Sequence, residues 1–315
     1  MSEYDKKIIG RQAAELGFPR DAFEKVYRLV ELLSFFESDP ILSKYLALKG
    51  GTCINLTIFR LPRLSVDIDL DFAENLPLSE MEGIRGTINN VLEQYMDANG
   101  YGRSVTKSKS YHALDSLVYY YTNTGRVRDN IKIEINYALR SHLLPLQKRP
   151  IETLDVFSPV NILALDPVEV FATKISALLT RAAARDLYDL NSMIHTGLFD
   201  ETQLDMLRKC AVFYLSVGGG TGPVLIDLGK INAITSYKIK TDLYPVISSH
   251  ERFNLAEVKT RVIDFLVDLL TLTADEREYL SAFDKKEYRP ELLFDETVLD
   301  RIADHPMAKW KMRNT

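Results

Sequence analysis

The sequence predicts an α+β protein: a mixed sheet flanked by helices, followed by a mostly helical C-terminal lobe. Three observations predict it. Residues 6–37 carry two helical patterns, residues 66–138 hold stretches that alternate with period two, and from residue 166 onward the pattern returns to helix. An order of helices, strands, helices is that of an α+β unit joined to a helical one. The boundaries expected are N-terminal helices over 1–40, a core over 41–160 and a mainly helical domain over 161–315. A chain of 315 residues is long enough for one or two cores without metal or disulfide staples.

The elements follow in order. Residues 6–17 and 20–37 read as helices; in the second, Phe23, Val26, Tyr27, Val30, Leu33 and Phe36 recur at the three- and four-residue spacing of one apolar face. Pro40 ends it. Residues 41–60 read as a helix-like approach, a turn at Gly50-Gly51 and a further helix. Val66-Asp-Ile-Asp-Leu-Asp-Phe72 alternates apolar and acidic without a slip and is a strand. A helix is expected over 78–99, strands over 103–109, 115–122 and 130–138, and a short apolar run at 161–165. Asp166-Pro-Val-Glu169 is a helix start, with Asp166 as cap, Pro167 in the first turn and Glu169 where a capping box wants its acid. One long helical pattern then runs to about His195. Helices near 201–215, 254–272 and 274–283 follow, with weak strand character over 222–248, in Val224, Leu225, Ile226, Tyr244, Val246 and Ile247.

Composition narrows the function classes. The net charge of −5 excludes a polycation that coats nucleic acid by bulk charge. Cys53 and Cys210 are too few for a disulfide framework or a zinc knuckle, which suits a reducing compartment. No run of apolar residues is long enough for a membrane span, and Met1–Lys7 lacks the apolar centre of a secretory signal. A cytoplasmic protein without a membrane partner is expected.

Alternation puts Asp67, Asp69 and Asp71 on one face of a strand. Such a row is stable facing water at a sheet edge, or in a site where a divalent cation relieves the repulsion; Mg²⁺ prefers oxygen ligands and keeps positions open for phosphates. In Ile131-Lys-Ile-Glu-Ile-Asn136 the isoleucines face one way and Lys132, Glu134 and Asn136 the other. If the two strands are neighbours, Glu134 joins Asp67 and Asp69 as a third carboxylate, a set that can hold two metal ions, activate a hydroxyl and stabilise leaving pyrophosphate.

Gly50-Gly51-Thr52 followed by Arg63-Leu-Ser65-Val-Asp67-Ile-Asp69 resembles the first signature of the nucleotidyltransferases of the DNA polymerase β superfamily, and in particular the AbiEii/AbiGii toxin family with its MenT relatives. Lys132-Ile-Glu134 is similar to that family's second motif. Lys174-Ile-Ser-Ala-Leu178 and Arg185-Asp-Leu-Tyr-Asp189 are similar to its third and fourth. Pro290–Phe294 and His305-Pro-Met307 resemble its C-terminal end, so the likeness spans roughly residues 45–310. The resemblance implies a polymerase-β-like mixed sheet, an NTP substrate and Mg²⁺ (or Mn²⁺) held by Asp67, Asp69 and Glu134. Asp71 is an additional acid; Asp67 and Asp69 are the pair that aligns.

On one continuous helix from Lys174, Arg181 falls at about −20°, Arg185 at about +20°, Asp189 near about +60° and Asp186 at about 120°. Lys174, Arg181 and Arg185 then form a cationic stripe suited to phosphate oxygens; a solvated face with internal salt bridges is the plainer reading. The resemblance implies that Lys174 contacts the nucleotide phosphates and that an aspartate of the fourth motif is required. Helical geometry favours Asp189 for that role and the Arg-Asp motif favours Asp186. The amides of Gly50, Gly51 and Thr52 are expected to approach the triphosphate, and Ser65 to contact it.

Residues 101–149 are locally basic, with nine Lys or Arg against three Asp or Glu, and Tyr111, Tyr119, Tyr120 and Tyr121 lie among them. That suits RNA phosphates and unpaired bases as well as it suits a solvated surface with half-buried tyrosines. Gly218–Pro223 lacks the Lys-Ser/Thr of a phosphate loop and reads as a flexible loop. The five histidines are dispersed without metal-ligand spacing, and Cys53 reads as a small core residue. The resemblance implies transfer of NMP from an NTP to an acceptor hydroxyl, a tRNA 3′ end, by the toxin of a pair whose antitoxin is encoded nearby. A small-molecule or protein acceptor, or a nucleotide-binding module without turnover, are the alternatives.

Overall fold

Strict alternation decides the centre of the fold. Ile68, Leu70 and Phe72 on one strand, and Ile131, Ile133 and Ile135 on another, are all fully buried, while the residues between them carry the polar groups. The computed structural model describes residues 4–155, 157–218 and 226–313. The chain forms two compact units: residues 1–140, 146–165 and 245–251 make the first; residues 141–145, 166–244 and 252–315 make the second.

The first unit holds strands β1 (Leu46–Lys49), β2 (Asp67–Phe72), β3 (Gly102–Arg103), β4 (Lys109–Tyr111), β5 (Leu114–Thr122), β6 (Arg128–Asn136), β7 (Gln147–Pro150) and β8 (Asn161–Ala164). They form one mixed sheet in the order β3-β5-β6-β2-β1-β8-β7, with β4 also on β5. β2 lies parallel to β6 and β1 parallel to β8; the other pairs are antiparallel. Its helices are α1 (Lys6–Leu16), α2 (Arg20–Ser38), α3 (Leu42–Tyr45), α4 (Gly50–Cys53), which continues as a π-helical turn over Ile54–Ile58, and α5 (Leu78–Ala98). α2 and α5 serve the apolar face of the sheet. Arg28 of α2 lies over the Tyr121 ring at 4.0 Å, and Lys25 pairs with Asp129 at 2.9 Å. Arg85 of α5 pairs with buried Asp115 at 2.5 Å. Each isoleucine of β6 adds on the order of 2–3 kcal/mol through burial.

The second unit is helical: α6 (Pro167–Arg181), α7 (Ala184–Thr196), α8 (Glu201–Gly218), α9 (Gly229–Asn232), α10 (Ser236–Lys238), α11 (Leu255–Leu269), α12 (Ala274–Asp284), α13 (Glu296–Ile302) and α14 (Pro306–Arg313). α6 packs on α8, where Ser176 donates to the Tyr214 carbonyl at 3.2 Å.

Several local expectations are corrected. Residues 46–49 are a strand beside β2 rather than a helical approach, and residues 104–108 are a loop that divides the strand expected over 103–109. β7 was not anticipated. The described part of 222–248 is short helices joined by turns, with one bridge, Arg63 to Ile247; Val224 and Leu225, like residues 219–223 of the glycine-rich stretch, lie outside the described residues. Asp166 caps Val168 as expected, but Glu169 does not reach back to it. Glu169 is fully buried and accepts from the Leu143 and Leu144 amides at 3.0 and 2.9 Å and from the Tyr214 hydroxyl. The single long helix is broken at Ala182, which adopts a left-handed conformation with φ of 49°.

Candidate active site

Two acids two residues apart on one strand share a face by alternation alone, and register adds the third. β2 and β6 run parallel with Asp67 opposite Lys132, Asp69 opposite Glu134 and Asp71 opposite Asn136. Registered neighbours on adjacent strands stand about 4.8 Å apart, so Glu134 flanks Asp69 on the same face. Asp67, Asp69 and Glu134 are half-buried, whereas Asp71 is 2% exposed. Lys49, at the end of β1, closes on Asp71 at 2.5 Å. Lys132 lies 2.9 Å from the Glu134 Oε1. Burial opposes the charge on Lys132, but Glu134, with Asp67 and Asp69 behind it, holds its ammonium pKa above the ordinary lysine value. Among the described residues no three acidic, histidine or cysteine side chains are already gathered around a common point; Glu134 is turned to Lys132.

The glycine pair sits against these acids. Gly50 has φ of 67°, which side-chained residues rarely adopt. A Cβ there would strike the Asp69 carboxylate, with Asp69 Cγ at 3.0 Å; a Cβ on Gly51 would meet Arg63 Nη2 at 2.9 Å and Ser65 Oγ at 3.0 Å. Thr52 donates its hydroxyl to the Asp67 carbonyl, tying the turn to the acidic strand. Asn55, fully buried, donates to the Gly51 carbonyl at 2.6 Å and accepts from the Arg63 amide at 3.3 Å. Arg63, 2% exposed, donates to the Leu64 carbonyl at 2.9 Å. Gly50, Gly51, Thr52, Ser65, Asp67 and Asp69 are therefore one local assembly.

The second unit gathers the other candidates differently from a stripe. The break at Ala182 turns α7 back on α6, so a single helical projection does not hold across residues 174–189. Lys174, 8% exposed, lies 2.9 Å from Asp186 and 3.0 Å from Asp189, both 1% exposed. Arg181 adds a second cation to Asp186, through Nε at 2.9 Å and Nη2 at 2.8 Å. Arg185 does not join them; its Nε donates to the Asp242 carbonyl at 2.8 Å. Both aspartates, between which the sequence posed a choice, contact this one lysine.

Sequence reasoning gave no role to Lys49, Asn55, Arg63 or Lys132. Lys49 and Lys132 stand directly in register with Asp69 and Asp67 of β2, a pairing that only the fold supplies. Arg63 was marked only by its place in the first signature and Asn55 had no signal, because their hydrogen bond to each other spans the turn.

The family model for the nucleotidyl transferase AbiEii toxin of type IV toxin–antitoxin systems matches residues 32–292. A sequence search of curated proteins finds no match. Among solved structures, MenT4, a nucleotidyltransferase toxin from Mycobacterium tuberculosis H37Rv, superposes with a TM-score of 0.67 at 18% identity, covering 94% of this chain and 98% of that one. At that identity the likeness speaks for the fold, and the fold expected from the sequence is the one found. The extent of the family match and the glycine turn set against the acidic strand lead to one conclusion: this chain belongs to the AbiEii nucleotidyltransferase toxins of type IV toxin–antitoxin systems.

Proposed function

We propose that the protein transfers NMP from an NTP to the terminal hydroxyl of an RNA, a tRNA 3′ end, with Mg²⁺ (or Mn²⁺), in the cytoplasm and under the control of an antitoxin encoded nearby. The observation that carries this reading is the register that places Glu134 beside Asp69 on the face Gly50 approaches.

The donor set fits a hard divalent cation. Asp67 and Asp69 present oxygens from a rigid strand, and Glu134 joins them when it leaves Lys132. Asp71 is set apart by its pair with Lys49. A bound divalent ion supplies charge for the phosphate oxygens at the α-phosphorus. The chain's own residues do the rest. Glu134 accepts the proton of the acceptor hydroxyl; that oxygen bonds to the α-phosphorus as the bond to pyrophosphate breaks. Gly50 and Gly51 let the backbone come close to the triphosphate, and Ser65 donates to it. Lys174 is the cation that the family resemblance assigns to the nucleotide phosphates. Asp186 and Asp189 are positioning residues that fix the Lys174 ammonium.

The test is transfer of α-labelled NTP to total tRNA with Mg²⁺. Label on tRNA that disappears in Asp69→Ala is the expected result. Pyrophosphate release with small hydroxylated acceptors alone would contradict the RNA acceptor, and NTP binding without any release would contradict catalysis.

A further inference from the structure

The basic segment of residues 101–149 sorts its charges by face of the sheet. Register carries the acid-bearing face outward from β2: Glu134 of β6 pairs with Ser116 of β5, and Ser116 with Lys109 of β4. By the same alternation Tyr111, Tyr120, Arg128, Asn130 and Lys132 lie on that face. The segment's other two acids, Asp115 and Asp129, lie on the opposite face, neutralised by Arg85 and Lys25 of the packed helices. Glu134 is thus the one acid of β4, β5 and β6 on the face that carries their cations.

Those cations are available. Lys107, Lys109 and Arg128 are exposed and make no ion pair among the described residues, whereas Arg103, on the other face, pairs with Glu93. Tyr119 and Tyr121, on the other face, are buried; Tyr111 is 54% exposed and Tyr120 partly so. Arg128 lies over the Tyr120 ring at 3.9 Å and Lys107 at 5.5 Å. Gly102, the strand partner of Tyr120, brings no side chain beside that ring, and a Cβ there would meet nothing within 4 Å. A guanidinium plane backed by an aromatic ring, with an ammonium group near it, is the chemistry that stacks an unpaired base and holds its phosphate. Arg128 and Glu134 are six residues apart on one strand, about 20 Å along the sheet.

We infer that the exposed β4–β6 face, through Tyr120, Tyr111, Lys107, Lys109 and Arg128, is the binding track for the single-stranded end of an RNA acceptor, leading along β6 to Glu134. The inference rests on the RNA reading of the acceptor above and adds where and in what form that RNA is held. Unpaired nucleotides are specified because the rings act by stacking; a duplex would use the cations alone.

The experiment uses the full chain and a fluorescein-labelled single-stranded RNA ending in CCA, with a blunt RNA duplex and a fluorescent NTP as controls, read by anisotropy. Tyr120→Ala and Arg128→Ala are each expected to weaken single-strand binding about tenfold, and Tyr120→Phe to retain it. Duplex binding by the Tyr120→Ala protein, NTP binding by both and single-strand binding by Arg103→Ala should stay at the wild-type level. Transfer to tRNA, measured alongside, should show a raised KM for RNA in Tyr120→Ala. If wild type labels tRNA and both variants bind the strand and label tRNA as wild type does, the track is overturned and the RNA acceptor stands. If wild type neither binds nor labels any RNA, the RNA acceptor fails and the track with it.

Discussion

The sheet site and the α6–α7 site are built from the same materials, carboxylates beside lysine, and differ in what the carboxylates face. On β2 and β6 the acids Asp67, Asp69 and Glu134 are half-buried and share a strand face with the backbone of a glycine turn. On α6 and α7, Asp186 and Asp189 are 1% exposed and are directed at Lys174 and Arg181. A half-buried carboxylate on a rigid strand can take up an incoming cation. A carboxylate enclosed with a lysine has its charge met by its neighbour, and its effect is to hold that lysine still. The first arrangement leaves room for an incoming cation, and the second is a cluster whose charges meet one another.

That contrast is broken most sharply by deleting acids and cations in turn. Asp67→Ala and Asp69→Ala should each lower transfer by about 10³-fold or more with little change in the unfolding midpoint, because each removes a partly exposed side chain; a large fall in stability in a urea titration would show that these acids are structural. Lys174→Met should lower both quantities. It leaves two buried aspartates without their shared counter-charge, which costs about 3–5 kcal/mol, read as a lower urea midpoint beside reduced transfer; unchanged stability would mean the cluster is looser than its distances state.

A third kind of acid sharpens the comparison. Glu169 is fully buried, and that burial pushes its pKa above the usual carboxylate value against the opposing pull of His142, Tyr214 and two amides. Between the unfolded and the raised folded pKa the folded state holds the extra proton, so stability should fall as pH rises through that window. Urea midpoints of wild type should decline from about pH 5 upward, and Glu169→Gln should flatten the decline. Asp71 is expected to give the smallest effect. Its charge is met by Lys49, so Asp71→Asn should change transfer by only about a few-fold, against the 10³-fold loss at Asp69; an equal loss would place Asp71 among the reacting groups.

The parts legible in the sequence were those whose signal is local. β2 and β6 alternate strictly, so their faces, and the sharing of one face by Asp67 and Asp69, could be read directly. β1 could not: Leu46-Ala-Leu-Lys49 is four residues, three of them fully buried, with no alternation to separate it from a helical run. The break at Ala182 was equally hidden. Arg181-Ala-Ala-Ala-Arg185 is strongly helix-favouring, and the break there is a tertiary outcome that overrides local propensity as α7 packs on α6. A helical wheel drawn through the break put Arg185 beside Lys174 and left Asp186 aside, the reverse of what forms. Register between β2 and β6, which makes three acids neighbours, is a tertiary fact that the sequence could pose only as a condition.

The central claim is that Asp67 and Asp69 act as ligands rather than as a solvated acidic face. Mn²⁺ titration followed by electron paramagnetic resonance, with a non-hydrolysable NTP present, tests it most directly. Wild type should remove the free Mn²⁺ signal beyond what the nucleotide alone binds, and Asp69→Asn should lose that excess while keeping its fold by circular dichroism. Equal Mn²⁺ uptake by the folded variant and wild type would contradict the account.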